Sequence, residues 1–191
     1  MNSLLVTYIL QTEKWTSPEL FETKNRIYTF LNPVSYLIAL ENKSLFEQFD
    51  GIFADGSLLV SAIRLVYGKR VTRRSFDMTS LAPELLNYLM ESRKTLYIVA
   101  SGQEQVECAV RIFQEQYPEL RIAGFRNGYF SSDAEMDMEA SHIVELNPDF
   151  LIVGMGALMQ EKFLLKVKRM GYQGIGFTCG GFIHQTAMRS E

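Results

Sequence analysis

Short apolar runs without polar alternation, each followed by a helix-length stretch, constrain this chain more than any other feature. "RIYTFL" (26–31), "GIFA" (51–54), "TLYIVA" (95–100), "RIAGF" (121–125), "DFLIVGM" (149–155) and "GIGFTCG" (174–180) read as strands. A strand that is apolar on both sides must be covered on both sides, which is the pattern of a parallel sheet. Between the runs lie helical segments: "SPELFETKN" (17–25) capped by Thr16 or Ser17, "PVSYLIALEN" (33–42), "LLVSAIRLVYG" (58–68) and "TSLAPELLNYLMES" (79–92). Ser101-x-x-Glu104 reads as a capping box opening a helix to Tyr117, and Ser132-x-x-Glu135 as one opening a helix to Leu146. Residues 159–170 form a further helix stopped by Gly171. The expected fold is α/β: a mostly parallel Rossmann-like sheet with helices on both faces, one domain over the 191 residues. In such sheets ligands sit beyond the carboxyl ends of the strands.

The residues expected at that edge are Thr29 and Asn32, Asp55-Gly56, Ser101-Gly102, Asn127-Gly128-Tyr129, Gly154-x-Gly156 with Gln160, and Thr178 to Gly181. Glycine turns let backbone amides approach an anion, so the set points to a phosphorylated ligand, most naturally a nucleotide. The same glycines also suit any tight strand-to-helix turn. In "LIVGMGALMQEKF" (151–163) the third glycine of a dinucleotide fingerprint is missing. Asp55 is the one carboxylate that the pattern puts at the edge. It reads either as a general base for an attacking hydroxyl or as half of an ordinary Asp-Gly turn. Gln160 could orient a hydroxyl or a phosphate oxygen, or face water. Arg73 and Arg74, in the basic run "KRVTRR" (69–74), are natural partners of a diphosphate or a solvated charge run.

Several classes are disfavoured. A net charge of −3 lacks the basic footprint of a nucleic-acid binder. Two histidines and two cysteines, with no Asp-x-Asp, give no pattern for a metal, and Cys108 reads as a small buried hydrophobe in a reducing compartment. No Walker loop or Gly-x-Ser-x-Gly is present. "SLLVTYIL" (3–10) is too short for a membrane span and has neither the basic leader nor the cleavage site of a signal peptide.

With these residues in place, the chain resembles the WecG/TagA/CpsF family of bacterial glycosyltransferases, also called glycosyltransferase family 26. The matching stretches are "TFLN" (29–32), "FADG" (53–56), "SFDMTSLAPELL" (75–86), "LYIVASG" (96–102), "YPELRIAGFRNGYF" (117–130), "NPDFLIVGMGALMQEKF" (147–163) and "GFTCGGFIHQTA" (176–187). The resemblance implies transfer of a sugar from a UDP-sugar to a polyprenyl-diphosphate-linked saccharide in surface polysaccharide or teichoic acid synthesis. It implies inversion at the anomeric carbon, no metal and no cofactor.

Carried over by position, the resemblance makes Asp55 the catalytic base. Thr29 and Asn32 hold sugar or acceptor, and Gln160 and Glu161 lie in the sugar pocket. Arg74, then Arg73, with Arg70 also competing, steadies the diphosphate. Gly56, Ser101, Gly102, Gly128, Tyr129, Gly154 and Gly156 complete the expected substrate contacts. The implied location is cytoplasmic, peripheral at the inner face of the cell membrane, with self-association open.

The chain also departs from the family pattern. Many members have Pro-Lys where this chain has Leu158-Met159, and "KRVTRRSFD" fits the usual Arg-Val-x-Gly-x-Asp only with a shift. The family's basic, aromatic tail that follows the last strand is read as absent or truncated, since this chain ends at Glu191. Two other readings stay open: an accessory partner of another transferase, and a nucleotide-binding α/β protein of another kind. No residue separates one donor sugar from another.

Overall fold

Successive side chains of a strand point to opposite faces of its sheet, and here each face carries a core of its own. The computed structural model describes residues 4–189; Ser3 of the apolar amino-terminal stretch and Glu191 lie outside the described residues. The strands are β1 (Arg26–Leu31), β2 (Gly51–Ala54), β3 (Thr95–Ala100), β4 (Arg121–Arg126), β5 (Phe150–Gly154) and β6 (Ile175–Thr178). They form one sheet in the order β2-β1-β6-β5-β3-β4, with all pairings parallel.

The helices are α1 (Leu4–Thr12), α2 (Ser17–Glu22), α3 (Pro33–Glu41), α4 (Lys43–Phe46), α5 (Ser57–Tyr67), α6 (Leu81–Ser92), α7 (Gln103–Gln116), α8 (Asp133–Leu146), α9 (Met159–Arg169) and α10 (Phe182–Met188). Tyr28, Phe30, Phe150, Ile152 and Phe177 turn to one face and meet α2, α6, α7 and α10. Ile27, Leu31, Leu151 and Val153 turn to the other and meet α1, α3, α4, α5, α8 and α9. The first face is aromatic: Phe177, fully buried on β6, packs against the rings of Phe21, Tyr28, Phe30, Phe76 and Phe150. Phe76 is the member that matters for the site, because it fixes the loop between α5 and α6 over the ends of the strands.

Where the boundaries differ from expectation, local chemistry explains it. Thr16 caps α2 with Glu19, whose carboxylate takes the Thr16 amide at 2.7 Å and its hydroxyl at 3.0 Å. The helix nevertheless ends at Glu22, and Asn25 takes a φ of 58°. β6 stops at Thr178 because Gly180 turns left-handed at φ 52°.

The expected capping box at Ser101 does not form. Ser101 sits at φ 55°, its backbone joins Gly154 and Gly128, and α7 starts after Gly102. Ser132 does cap α8, but the Glu135 carboxylate goes to Ser131 and Arg126 instead of back to the cap. Helices α1, α4 and α10 were not expected from the sequence. Cys108 is half-buried, not buried, and Cys179 is the fully covered cysteine.

Truncating Phe177 to alanine would leave a void among five rings. A loss of about 3–5 kcal/mol in unfolding free energy is expected, measured by urea denaturation, with a near-normal value contradicting this packing.

Candidate active site

At the carboxyl ends of the strands the turns surround a cavity of about 690 Å³, within the usual size range of small-molecule sites. Asp55, Asp77, Ser101, Tyr129, Gln160 and His184 are among its polar lining, and Phe30, Phe76, Phe182 and Met155 contribute its apolar surface.

Its floor is built on one buried carboxylate. Glu161 has no exposed surface. Its Oε1 accepts from Thr29 Oγ1 at 2.8 Å and Gln160 Nε2 at 3.0 Å, and its Oε2 accepts the Leu158 amide at 2.7 Å. Thr29 and Thr178 share a hydrogen bond of 2.8 Å. As Thr29 spends its one proton on Glu161, Thr178 is the donor in that pair. The Gln160 carbonyl oxygen accepts the Gly180 amide at 3.2 Å. The network therefore joins β1, β6, the start of α9 and the turn after β6. It also fixes the Gln160 amide, because Nε2 must face the carboxylate and Oε1 the N–H. Burial pushes the Glu161 carboxyl above its ordinary value, against the pull of the donors from Thr29, Gln160 and Leu158.

Two glycines make the turn after β5 possible. A Cβ on Gly154 would lie 2.6 Å from the Gly180 carbonyl oxygen and 2.8 Å from Cys179 Sγ, so only glycine lets the two turns meet. Gly156 has space around it but sits at φ 81°, as a left-handed turn requires. Leu158 follows at φ 73°, a value closed to proline.

Asp55 extends β2, its amide bonded to the Leu31 carbonyl at 2.8 Å. Its carboxylate faces the cavity and accepts no hydrogen bond from the described residues. Burial raises its pKa, with the Arg73 guanidinium pulling it down and Asp77 pushing it up. Asp77 is a second carboxylate at the edge, where the sequence pattern showed only Asp55. Burial alone would raise it, but hydrogen bonds from Thr79 and Ser75 and the nearby Arg73 prevail and hold it below the usual range.

The two arginines part ways. Arg73 pairs with Asp77 at 2.8 Å. Arg74 turns away to donate to the Trp15 carbonyl at 2.7 Å, with its guanidinium 5.2 Å from the Phe53 ring centre. Arg73 is thus the arginine whose charge acts on Asp55, whereas the sequence reading put Arg74 first.

Of the other expected contacts, Asn32, Ser101, Gly102, Gly128, Tyr129, Gly154, Gly156 and Gln160 all line the cavity. Asn32 uses its side-chain oxygen to cap α3 through the Ser35 amide at 2.9 Å. Gly56 caps α5 beside Asp55 without lining the cavity. Thr29 and Glu161 lie beneath the floor and reach it only through Gln160 and Thr178. Asp77, Gln105, His184 and Gln185 also line the cavity, although the sequence reading gave them no role. Asp77 stood within the matching "SFDMTSLAPELL" stretch, and His184 and Gln185 within "GFTCGGFIHQTA". Among the described residues no three His, Cys, Asp or Glu side chains gather as a metal-ligand set.

The sequence pattern described as the glycosyl transferase WecG/TagA/CpsF family matches residues 10–190. A UDP-Gal:alpha-D-GlcNAc-diphosphoundecaprenol beta-1,4-galactosyltransferase of Shigella boydii is 33% identical over 165 residues, covering 86% of this chain and 69% of its own length. An N-acetylglucosaminyldiphosphoundecaprenol N-acetyl-beta-D-mannosaminyltransferase of Bacillus subtilis is 23% identical over 185 residues, covering 95% of this chain and 69% of its own length.

The raised carboxyl gives a test of the floor. The folded chain keeps the Glu161 proton at pH values where the unfolded chain, with a value near 4.5, has lost it. Its contribution to stability is therefore full below that value and declines as pH rises through the raised folded one. Glu161→Gln cannot ionise, so wild type should lose stability relative to this variant as pH rises through that window. Parallel thermal unfolding at a series of pH values reads the difference, and a gap independent of pH would contradict the assignment.

Proposed function

The chain belongs to the WecG/TagA/CpsF family of glycosyltransferases, and we propose that it moves a sugar from a UDP-sugar onto a polyprenyl-diphosphate-linked saccharide. The observation that carries the mechanism is Asp55: a half-buried carboxylate, unencumbered by hydrogen bonds from described residues, at the carboxyl edge of a parallel sheet. Such a group is suited to take the proton of an acceptor hydroxyl.

The strand order gives the donor a direction. Asp55 ends β2 and Ser101-Gly102 follows β3, four strands away, or about 19 Å at ~4.8 Å per strand. A nucleotide sugar laid across the edge has its sugar near Asp55 and its base toward β3 and β4. There Tyr129, 75% exposed, offers a ring for stacking. The diphosphate then passes over the turns at Gly154–Gly156 and Gly180–Gly181, where backbone comes closest. Gln160, held in one orientation from below, keeps one amide hydrogen and one lone pair for sugar or phosphate oxygens.

The reaction is a single displacement. The acceptor oxygen attacks the anomeric carbon as its proton passes to Asp55, and the bond from that carbon to the diphosphate oxygen breaks. UDP leaves with the electron pair, its charge met by the turn amides. One displacement inverts the anomeric carbon, and the β-linkages named for both relatives are what inversion of an α-linked donor yields. The step needs no metal, since the charge of the leaving group is met by the chain itself.

Asp55→Asn keeps the shape and removes the base. It should lower kcat by about 10²–10⁴ while leaving UDP affinity within a few-fold of wild type, read by turnover of a lipid-linked acceptor and by titration calorimetry. Wild-type activity should also fall on the acid side with a midpoint above the ordinary aspartate value of 3.8. Unchanged kcat in the variant would exclude Asp55 as the base.

A further inference from the structure

A second surface stands apart from the cavity. α5 buries only Leu59 and Ile63, one turn apart, and turns much of its remaining surface outward. Leu58, Leu65 and Val66 are 69%, 88% and 69% exposed, and Ala62 between them is exposed as well. Positions 58, 62, 65 and 66 recur at helical spacing, so they form one outward apolar stripe. Large apolar side chains grouped in this way mark an interaction surface.

The charge on the same stretch is one-sided. Residues 57–74 contain Arg64, Lys69, Arg70, Arg73 and Arg74 and no Asp or Glu, in a chain whose net charge is −3. Arg73 is spent on Asp77 and Arg74 on Trp15. Arg64, Lys69 and Arg70 are exposed, and no ion pair joins them to a carboxylate among the described residues. The occupant must accept apolar side chains and a local excess of positive charge together.

We propose that α5 and the loop through Arg70 form a docking surface for an anionic lipid bilayer. Leu58, Leu65 and Val66 enter the boundary between headgroups and acyl chains, and Arg64, Lys69 and Arg70 meet the anionic headgroups. A second copy of this chain fits less well, because a two-fold interface sets each patch against itself and brings like charges together. The placement also has a use that rests on the proposed transfer: α5 begins two residues after Asp55, so a bilayer on this surface lies beside the mouth through which a lipid-linked acceptor must enter.

Vesicle binding by the purified chain, without substrate, tests the surface separately from the chemistry. Flotation with phosphatidylglycerol-containing vesicles should recover the protein, and neutral phosphatidylcholine vesicles should not. Lys69→Ser with Arg70→Ser should weaken binding roughly thirty-fold, at about fivefold per charge, and 0.5 M salt should have a similar effect, about the reach of screening. Leu65→Ser with Val66→Ser should reduce binding about tenfold or more, with thermal unfolding confirming that these exposed changes leave the fold intact. Equal binding to both vesicle types, or full binding by both double variants, would overturn the proposal. So would a concentration-dependent dimer that the Leu65/Val66 variant dissociates while wild type ignores anionic vesicles. UDP titration on the same preparations reads the transferase site independently, so failure of one reading does not obscure the other.

Discussion

Removing a carboxylate from water is costly unless donors surround it, and this architecture is organised around one such group. Glu161 has no exposed surface, yet each of its oxygens is met by a donor: Thr29 and Gln160 at one, the Leu158 amide at the other. Those donors come from β1 and from the start of α9. Through Thr178 and Gly180 the same network reaches β6 and the turn that follows it. A displacement of any of these parts would leave a buried charge or hydroxyl unpaired, so the cavity floor behaves as one unit. The residues that line the cavity are thus held by residues beneath it. Thr29 and Glu161 fix where Gln160 and Thr178 present their polar atoms.

Above that floor the site divides by strand position. Asp55 sits at one end of the edge with Arg73 and Asp77, and Tyr129 at the other, with the glycine turns of β5 and β6 between them. The electrostatics of the Asp55 end are balanced. Burial and Asp77 raise its proton affinity, and Arg73 lowers it. In the proposed reaction a base needs this kind of tuning, since it must be ionised before attack and accept a proton during it. The Arg73–Asp77 pair therefore has a position from which it tunes the proton affinity of Asp55.

Much of the framework was legible in the sequence because apolar runs of strand length are unambiguous when glycine or proline punctuates them. β1, β2 and β3 were read to the residue, and the parallel sheet with two covered faces follows from their lack of alternation. The amino-terminal stretch was not read as helix, since its apolar residues run together and hide the buried face of Leu5, Val6, Ile9 and Thr12. α4 and α10 are short, and tertiary packing decides such segments. Ser101 misled because the Ser-x-x-Glu pattern records spacing and not φ, and its left-handed backbone moves the helix start one residue on.

In the site, Asp55 and the glycine turns were visible because they end strands. Asp77 and His184 were given no role because one lies in a loop and the other in a helix that the pattern did not show. The different surroundings of Arg73 and Arg74 could not be read either. They depend on a carbonyl of Trp15, 59 positions away in sequence, which accepts from Arg74.

The central claim is that a nucleoside diphosphate lies along the carboxyl edge of the sheet, above the Glu161 network, and hydrogen–deuterium exchange with and without UDP tests it most directly. UDP should slow exchange at the amides of the turns after β3, β5 and β6, around Gly102, Gly156 and Gly180, while α5 and the far ends of the strands are unchanged. Protection confined to other surfaces, or none at saturating UDP, would contradict the placement of the ligand and the mechanism built on it.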